Sequence, residues 1–332
     1  MSIGHDFRRR LSTRLTKISI TLFQIACSGV LSGMGLCANA QILTKEDLQK
    51  QIKIYEAASL QATIPKVPAI QAGQIWSHLG TLYQDAGMYG QSERAFEHAI
   101  QLLTVAPVSN PDLATAIDNL GTLYMETGHV KEAEHAESKA LKIREESDLE
   151  SELPRSWYHL ATLYLREHRS AKANEFAEQA ANAFFADRNA APEDKIGSLL
   201  VLASSLRQTG KYPEAIARLQ SAFQMAKETY GADTLPTGFS AFILGYTYWK
   251  SGDLSSAGEL MQRGTEIMGK ELGWNHPAYL MVMTQYARFL RDEHRQDVAQ
   301  VIEKQVKSMR AQLRSNPAYD QALETTNVAV LF

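Results

Sequence analysis

The chain has 332 residues, of which 45% are hydrophobic and 21% are charged, and its formal net charge is −3. This weakly acidic composition argues against a nucleic-acid-binding protein, because such a protein needs a clustered basic face. The chain contains only two cysteines, which excludes the disulfide framework of a small secreted scaffold.

The first 40 residues have the three parts of a secretory signal peptide. Residues 8–17 are basic, residues 18–37 are modestly apolar, and Ala38-Asn39-Ala40 provides the small residues of a cleavage site. We therefore predict that residues 1–40 are a signal peptide cleaved after Ala40, and that the protein is periplasmic or secreted. A retained membrane anchor is the alternative, since about 20 apolar residues suffice to span a bilayer.

Cleavage would change both the charge and the cysteine content of the chain. The removed segment carries five basic residues, one acidic residue and both cysteines, Cys27 and Cys37, so the mature chain would be thiol-free with a net charge of −7. A chain without thiols suits an oxidising compartment. We expect no stable membrane insertion after cleavage and no nucleic-acid partner.

Residues 41–72 are predicted to form an N-terminal capping helix and a linker. The segment Thr44-Lys45-Glu46-Asp47 has the pattern of a capping box, which favours a helix that continues to about Ala62. Such a helix would cover the first face of the array that follows.

Residues 73–314 contain six copies of one pattern. The first sign of it is a column of small residues that recurs every 40–42 residues: Gly80, Gly121, Ala161, Ala203, Gly245 and Ala287. A second column follows 12 residues later at Ser92, Ala133, Ala173, Ala215, Ala257 and Ala299. A third column lies at Ala99, Ala140, Ala180, Ala222, Gly264 and Val306. A regular repeat of this length predicts a stacked array, and the small residues predict close helix crossings.

Each copy is predicted to be a helical hairpin. Large residues such as Leu79 and Tyr83 flank the first column at the spacing of one helix face. Seven residues after that column four repeats have a glycine, which suits a left-handed turn: Gly87, Gly128, Gly210 and Gly252. His168 and His294 take that place in repeats three and six. The second and third columns then lie on a second helix.

These repeats resemble the tetratricopeptide repeat family, in the longer-period form of the kinesin light chains. Repeat one matches the family pattern at Trp76, Leu79, Gly80, Tyr83, Gly87, Tyr89, Ser92, Phe96 and Ala99. The resemblance implies an all-α, right-handed superhelical solenoid of about six hairpins with capping helices. Glu137 and Glu303 stand where the family has an aromatic residue, so we expect their helices to pack loosely or to expose a partner surface.

Residues 315–332 are predicted to form a C-terminal cap or a tail. Asn316-Pro317 resembles the start of earlier repeats, which favours a short capping helix near residues 317–328. The alternative is a frayed tail that leaves the apolar residues 328–332 exposed.

The sequence contains none of the common catalytic motifs. The chain has no H-E-x-x-H, G-x-S-x-G or G-x-x-x-x-G-K-[ST] sequence, and cleavage would leave no cysteine nucleophile. We therefore predict neither an enzyme nor a cofactor or metal site.

The resemblance implies that the first helices line a concave groove that binds a protein or peptide. The predicted groove residues are Asn119, His159, Arg166, Arg207, Tyr246, Trp249, Lys250 and Arg288. Acidic residues, Asp85, Asp118 and Glu126, come from repeats one and two, whereas the cations come from repeats three to six. The chaperone-type carboxylate clamp is not reproduced, because Ser77 and Thr81 stand at its Lys and Asn positions.

Two functions follow from these features. The first is an exported, non-catalytic scaffold or adaptor that binds a polypeptide segment in the groove. The alternative is a structural subunit of a fixed cell-envelope complex, which would use the caps or the convex face. The pattern predicts no particular oligomeric state.

Overall fold

The structure is a computed structural model that describes residues 45–62, 67–105, 111–147, 150–274 and 276–313. The predicted signal peptide and the predicted C-terminal cap or tail lie outside these residues. Both therefore stay predictions.

The described residues form thirteen α-helices and contain no strand. These are α1 Lys45–Ala62, α2 Ala69–Asp85, α3 Tyr89–Thr104, α4 Pro111–Glu126, α5 Val130–Glu146, α6 Leu153–Arg166, α7 Ser170–Ala186, α8 Pro192–Gln208, α9 Tyr212–Tyr230, α10 Leu235–Ser251, α11 Leu254–Leu272, α12 Pro277–Asp292 and α13 Gln296–Leu313. None of these helices is both long enough and apolar enough to cross a membrane. The predicted all-α class is confirmed.

Helices α2 to α13 form six hairpins that pack in sequence. Within each hairpin the two helices pack along one another, and each second helix also packs on the first helix of the next hairpin. Helix α1 packs on α2, where Tyr55 contacts the ring of His78 at 4.3 Å and Glu56 accepts a hydrogen bond from the Tyr83 hydroxyl at 2.8 Å. The predicted solenoid of six hairpins is thus confirmed.

The small columns lie where helices meet. A Cβ atom on Gly80 would be 2.6 Å from the Phe96 ring, and one on Gly264 would be 2.6 Å from the carbonyl oxygen of Gly238. Ala99, Ala140, Ala180 and Ala222, which share a column with Gly264, are completely buried. Close backbone approach therefore explains why these positions hold small residues.

The same turn closes the first helix of all six repeats. The residue seven after the small column has a positive φ in each repeat, and in repeats three and six it is His168 at 55° and His294 at 61°. The following N–H donates to a carbonyl in the last turn of the helix, as Met88 N does to Tyr83 O at 2.8 Å and Arg169 N to Tyr164 O at 2.8 Å. This bond is the one that caps a helix through a left-handed residue.

Candidate functional site

One face of every first helix points away from the second helices. The small column marks the opposite, packed side, since a Cβ on Gly245 would lie 2.8 Å from Met261. Successive helical residues are about 100° apart, so the residues two before, one after and five after the column lie on the far side. We call these positions the groove face.

The groove face of repeats one to three is polar. Its members are His78, Thr81, Asp85, Asn119, Thr122, Glu126, His159, Thr162 and Arg166. Asn119 is half-buried, and its amide Nδ2 donates to Ser77 Oγ at 3.5 Å, which joins repeats one and two. This leaves the amide oxygen of Asn119 as an acceptor on the groove face.

Asp85, Glu126 and Arg166 occupy the same position in successive repeats. Arg166 Nη1 donates to the carbonyl oxygen of Met125 at 2.6 Å, which satisfies the last turn of α4. Burial raises the pKa of Glu126 to about 7, with a further contribution from Asp85, whereas Gln84 and Arg166 oppose the shift. The carboxylate of Glu126 is therefore poorly solvated.

The first of the three groove-face positions becomes apolar in repeats four and five. Val201 and Ile243 stand where repeats one to three have His78, Asn119 and His159, and both are buried. Every residue from Ile196 to Arg207 in α8 and from Pro236 to Thr247 in α10 is buried. Sequence analysis predicted only polar and aromatic groove residues and so missed this apolar floor of Val201 and Ile243. The signal was available, because a valine and an isoleucine stand at these positions in the sequence.

Three cations gather around Tyr246 next to this floor. The Arg207 guanidinium lies 4.9 Å from the centre of the Tyr246 ring, and Lys250 Nζ lies 5.3 Å from it. Burial lowers the pKa of Arg207 to about 10. Burial together with Arg288 and Arg207 lowers the pKa of Lys250, and the nearby Asp292 opposes this shift. Lys250 and Arg288 are exposed, so this cluster offers positive charge to the solvent.

Trp249 joins repeats five and six. Its Nε1 donates to Asp292 Oδ2 at 2.8 Å, its ring packs edge-on against Tyr246 and Phe289, and Lys250 Nζ lies 3.8 Å from the ring centre. The side chain is buried, and these contacts hold the repeat interface. Its predicted role as a partner-binding residue stays a prediction.

A buried ionic cluster lies at the junction of repeats two and three. Arg144 Nη1 lies 2.5 Å from Asp118 Oδ2 and donates to Ser156 Oγ at 2.5 Å. His159 Nδ1 lies 3.3 Å from Glu137 Oε2. The Asp118, Glu137, Arg144 and Ser156 side chains are buried, while that of His159 is 20% exposed.

The groups of the cluster titrate far from their ordinary values. Burial raises the pKa of Asp118 to about 7, with a further contribution from the nearby Glu137, and Arg144 opposes the shift. Burial raises the pKa of Glu137 to about 8, and hydrogen bonding with Asp118 and the charge of Arg144 oppose the shift. Burial also lowers the pKa of His159 to about 4, so the imidazole is neutral at pH 7.

A family comparison identifies these hairpins. The sequence model of the family described as Tetratricopeptide repeat matches residues 71–146 and 196–270, which contain repeats one, two, four and five. Residues 71–146 and 196–270 of this chain belong to the tetratricopeptide repeat family. The comparison with curated protein sequences gives no match.

Solved structures show the same tetratricopeptide repeat fold at low sequence identity. A crystal structure of the Podosopora anserina putative kinesin light chain repeats is 23% identical, with a TM-score of 0.50, and the match covers 62% of this chain and 98% of that one. The apo form of RapI is 12% identical, with a TM-score of 0.66 and coverages of 82% and 94%. The Rap conjugation gene regulator of plasmid pLS20, in complex with the Phr* peptide, is 12% identical, with a TM-score of 0.60 and coverages of 82% and 72%.

The expectations for Glu137 and Asp118 are wrong. Glu137 neither loosens its helix nor exposes a surface, because its side chain is fully buried against Gly121 and near His159. Glu303 is held by Arg291, whose Nε and Nη2 donate to its two carboxylate oxygens at 2.7 and 2.6 Å, but its side chain is 41% exposed, so a partner surface there stays a prediction. Asp118, expected in the groove, is instead buried beside Arg144.

Sequence analysis missed Glu137 and Arg144 as members of a polar site. The signal was the carboxylate at an aromatic position of the tetratricopeptide repeat, 16 residues after Gly121. The partners lie on three different helices, so no local motif connects them. The other predicted groove residues, including Asn119, Arg166, Lys250 and Arg288, lie on or beside the groove face and keep their predicted role.

Proposed function

We propose that this tetratricopeptide repeat protein is an exported, non-catalytic adaptor that binds a segment of another protein along its groove face. The family and fold support a protein-interaction scaffold. The observation that carries the finer proposal is the exposed pair of cations Lys250 and Arg288 on the groove face.

The chemistry of the groove face favours one class of partner. Lys250 and Arg288, with Arg207 behind them, form a positive cluster that attracts carboxylates. Asn119 adds an amide oxygen that accepts a hydrogen bond from an extended backbone regardless of side-chain sequence. The partner segment is therefore expected to carry acidic residues.

One structural neighbour supports a peptide ligand in general terms. The Rap conjugation gene regulator is described in complex with the Phr* peptide. At 12% identity this likeness is one of fold alone, so it supports the class of ligand and no particular residue.

A selection experiment tests the partner class. The purified protein is immobilised and used to select binders from a random-peptide phage library. We expect the selected peptides to be rich in Asp or Glu, and the Lys250→Glu/Arg288→Glu variant to lose them.

The matched control is Lys227→Glu/Lys270→Glu, which makes the same change in net charge at exposed positions on the second helices α9 and α11. Selected peptides that bind the wild type and both variants equally would contradict the groove assignment. Catalytic turnover that a single side-chain change abolishes would contradict the non-catalytic part of the proposal.

The sequence of residues 1–40 supports the proposed export to the periplasm or beyond. N-terminal sequencing of the protein from its native cells tests this step directly. A mature chain that starts at Gln41 supports cleavage and release, whereas an intact Met1 supports the retained anchor.

A structural subunit of an envelope complex is the second candidate. Exposed apolar residues at the two ends of the described solenoid favour it: Ile54 on α1, and Val298 and Val301 on α13. An obligate subunit is expected to bury about 2,000 Å² or more and to be unstable alone. Substitution of Val298 and Val301 by Lys would then disrupt the complex, while the groove variant would leave it intact.

A further inference from the structure

The ionic cluster at the junction of repeats two and three contains an unusual number of unsatisfied polar atoms. Among the described residues, no hydrogen bond of normal geometry reaches either carboxylate oxygen of Glu137, Asp118 Oδ1 or His159 Nδ1, although these atoms are buried. Buried polar groups are normally hydrogen-bonded, and exceptions often mark an ion or a water molecule. Arg144 Nε and Nη2 are also buried without a hydrogen-bond partner. The atoms that lack a partner and lie close together, on Asp118, Glu137 and His159, are all of the kind that a cation can bind.

Charge balance leads to the same conclusion. Arg144 is close to Asp118 and compensates one carboxylate. Ser156 carries no charge, so among these side chains Arg144 is the one permanent cation set against the two carboxyl groups of Asp118 and Glu137. Burying an uncompensated carboxylate is costly, and either a proton or a metal ion removes that cost.

The position of His159 favours a metal ion over a proton. Its Nδ1 and Glu137 Oε2 are 3.3 Å apart, with no hydrogen bond between them. Two ligands with bonds of about 2.0–2.1 Å to a tetrahedral zinc ion lie about 3.3–3.4 Å from one another. The observed separation thus equals an edge of a zinc coordination tetrahedron, and it exceeds the usual length of a strong hydrogen bond.

We propose that Asp118, Glu137 and His159 bind a divalent transition-metal ion, with Zn²⁺ as the best fit. One ligand atom from each residue lies within 4.8 Å of the other two. Two carboxylates and an imidazole are a donor set that zinc accepts. Three protein ligands leave a fourth coordination position for water or for a group of a bound partner.

The residues around the trio are suited to hold the ligands in place. Arg144 contacts Asp118 Oδ2 and also donates to Ser156, so it fixes the carboxylate while Oδ1 stays available. Such outer-shell contacts orient metal ligands. His159 is partly exposed on the groove face, which gives the ion a route of entry.

The ligands come from three helices, so the ion would link the two repeats. Asp118 lies on α4 and Glu137 on α5, both in repeat two, whereas His159 lies on α6 of repeat three. Binding to the folded chain alone would stabilise this junction by mass action. The proposal concerns the junction and does not depend on the proposed partner of the groove.

Metal uptake by the purified chain tests the proposal. The protein is stripped with a chelator and then titrated with ZnSO₄, with calorimetry for affinity and elemental analysis for stoichiometry. We expect on the order of one zinc ion per chain and an increase in the thermal unfolding midpoint. Co²⁺ in place of Zn²⁺ should give the visible absorption of tetrahedral cobalt.

Glu137→Gln and His159→Gln remove one ligand each at nearly constant volume. Since loss of an outer-shell partner already weakens metal binding about 10–100-fold, loss of a ligand should weaken it by at least about tenfold. His129→Gln removes an exposed histidine of repeat two and is the matched control, which should bind zinc as the wild type does. Circular dichroism checks that each variant is folded.

Two results would overturn the proposal. Zinc that binds the wild type and both ligand variants equally would be an adventitious surface ion only. A folded wild-type chain that takes up no zinc, and whose stability zinc does not change, would mean that a proton alone compensates Glu137.

Discussion

Arg144 Nη1 lies 2.5 Å from Asp118 Oδ2, and both side chains are completely enclosed between repeats two and three. Such a pair is stable only while both partners are present, because removing one leaves a buried charge without compensation. The relationship therefore makes the junction of these two repeats sensitive to a single substitution.

Arg144→Met tests this dependence. The variant removes the cation and leaves Asp118 beside Glu137, so we expect the free energy of unfolding to fall by about 3–5 kcal/mol. Urea unfolding followed by circular dichroism measures the change. Arg218→Met, at an exposed position on α9, should change stability by less than about 0.5 kcal/mol. Equal effects of both variants would show that the buried pair contributes nothing specific.

Two glycines of α11 predict opposite responses to a methyl group. A Cβ on Gly264 would lie 2.6 Å from the backbone oxygen of Gly238 and 2.8 Å from the backbone nitrogen of Phe242, neither of which moves easily. A Cβ on Gly258 would meet its nearest atom, Glu293 Oε1, at 3.4 Å.

We expect Gly264→Ala to destabilise the chain by about 1–3 kcal/mol through overpacking. Gly258→Ala should be neutral or stabilise the chain by up to about 1 kcal/mol, because alanine favours the helix. Thermal unfolding of the two variants measures both effects. A stable Gly264→Ala variant would contradict the close crossing of α10 and α11.

The left-handed residues of repeats three and six carry side chains where the other repeats have glycine. Since the left-handed region is unfavourable for a residue with a Cβ, His168→Gly, at φ 55°, should stabilise the chain by about 0.5–1 kcal/mol. Gly210→Ala makes the reverse change at the equivalent position of repeat four, where φ is 76°, and should destabilise it by about 1 kcal/mol. The urea unfolding midpoints of the two variants measure both effects. Loss of stability in His168→Gly would show that a contact of the histidine side chain stabilises this turn.

The raised pKa of Glu126, to about 7, predicts a pH dependence of stability. The folded chain holds this proton more tightly than the unfolded chain, whose carboxyl has its ordinary pKa of 4.5. The stabilisation is therefore complete below pH 4.5 and is lost as the pH rises through about 7.

Glu126→Gln removes this proton-dependent difference. We expect the variant to gain stability relative to the wild type between pH 5 and pH 8, as measured by urea midpoints at both values. If the interaction with Arg166 outweighed burial, the variant would instead lose relative stability over the same interval.

The regular part of the fold could be predicted from the sequence because its causes are local and repeated. Small residues such as Gly80 and Gly264 mark helix crossings, and the turn residue follows at a fixed distance even where it is His168. Because every repeat has the same backbone geometry, each needs small residues and a turn residue at the same positions. Six weak sequence signals therefore reinforce one another.

The ionic cluster could not be predicted in this way. Glu137 breaks the pattern, but the pattern does not say whether a misplaced carboxylate turns outward or finds partners inside. Its neighbour His159 comes from the next repeat, 22 residues further along the chain. The groove face was predicted by position, yet Val201 and Ile243 were passed over because apolar side chains resemble core residues.

Crosslinking mass spectrometry in an envelope extract of the native organism tests the central claim most directly. Wild-type protein is compared with Lys250→Glu/Arg288→Glu and with the control Lys227→Glu/Lys270→Glu. The adaptor account predicts that specific partners crosslink along the first helices of repeats two to five, are lost in the groove variant and persist in the control. Partners that crosslink instead to α1, α13 or the second helices, unchanged by the groove variant, would contradict it.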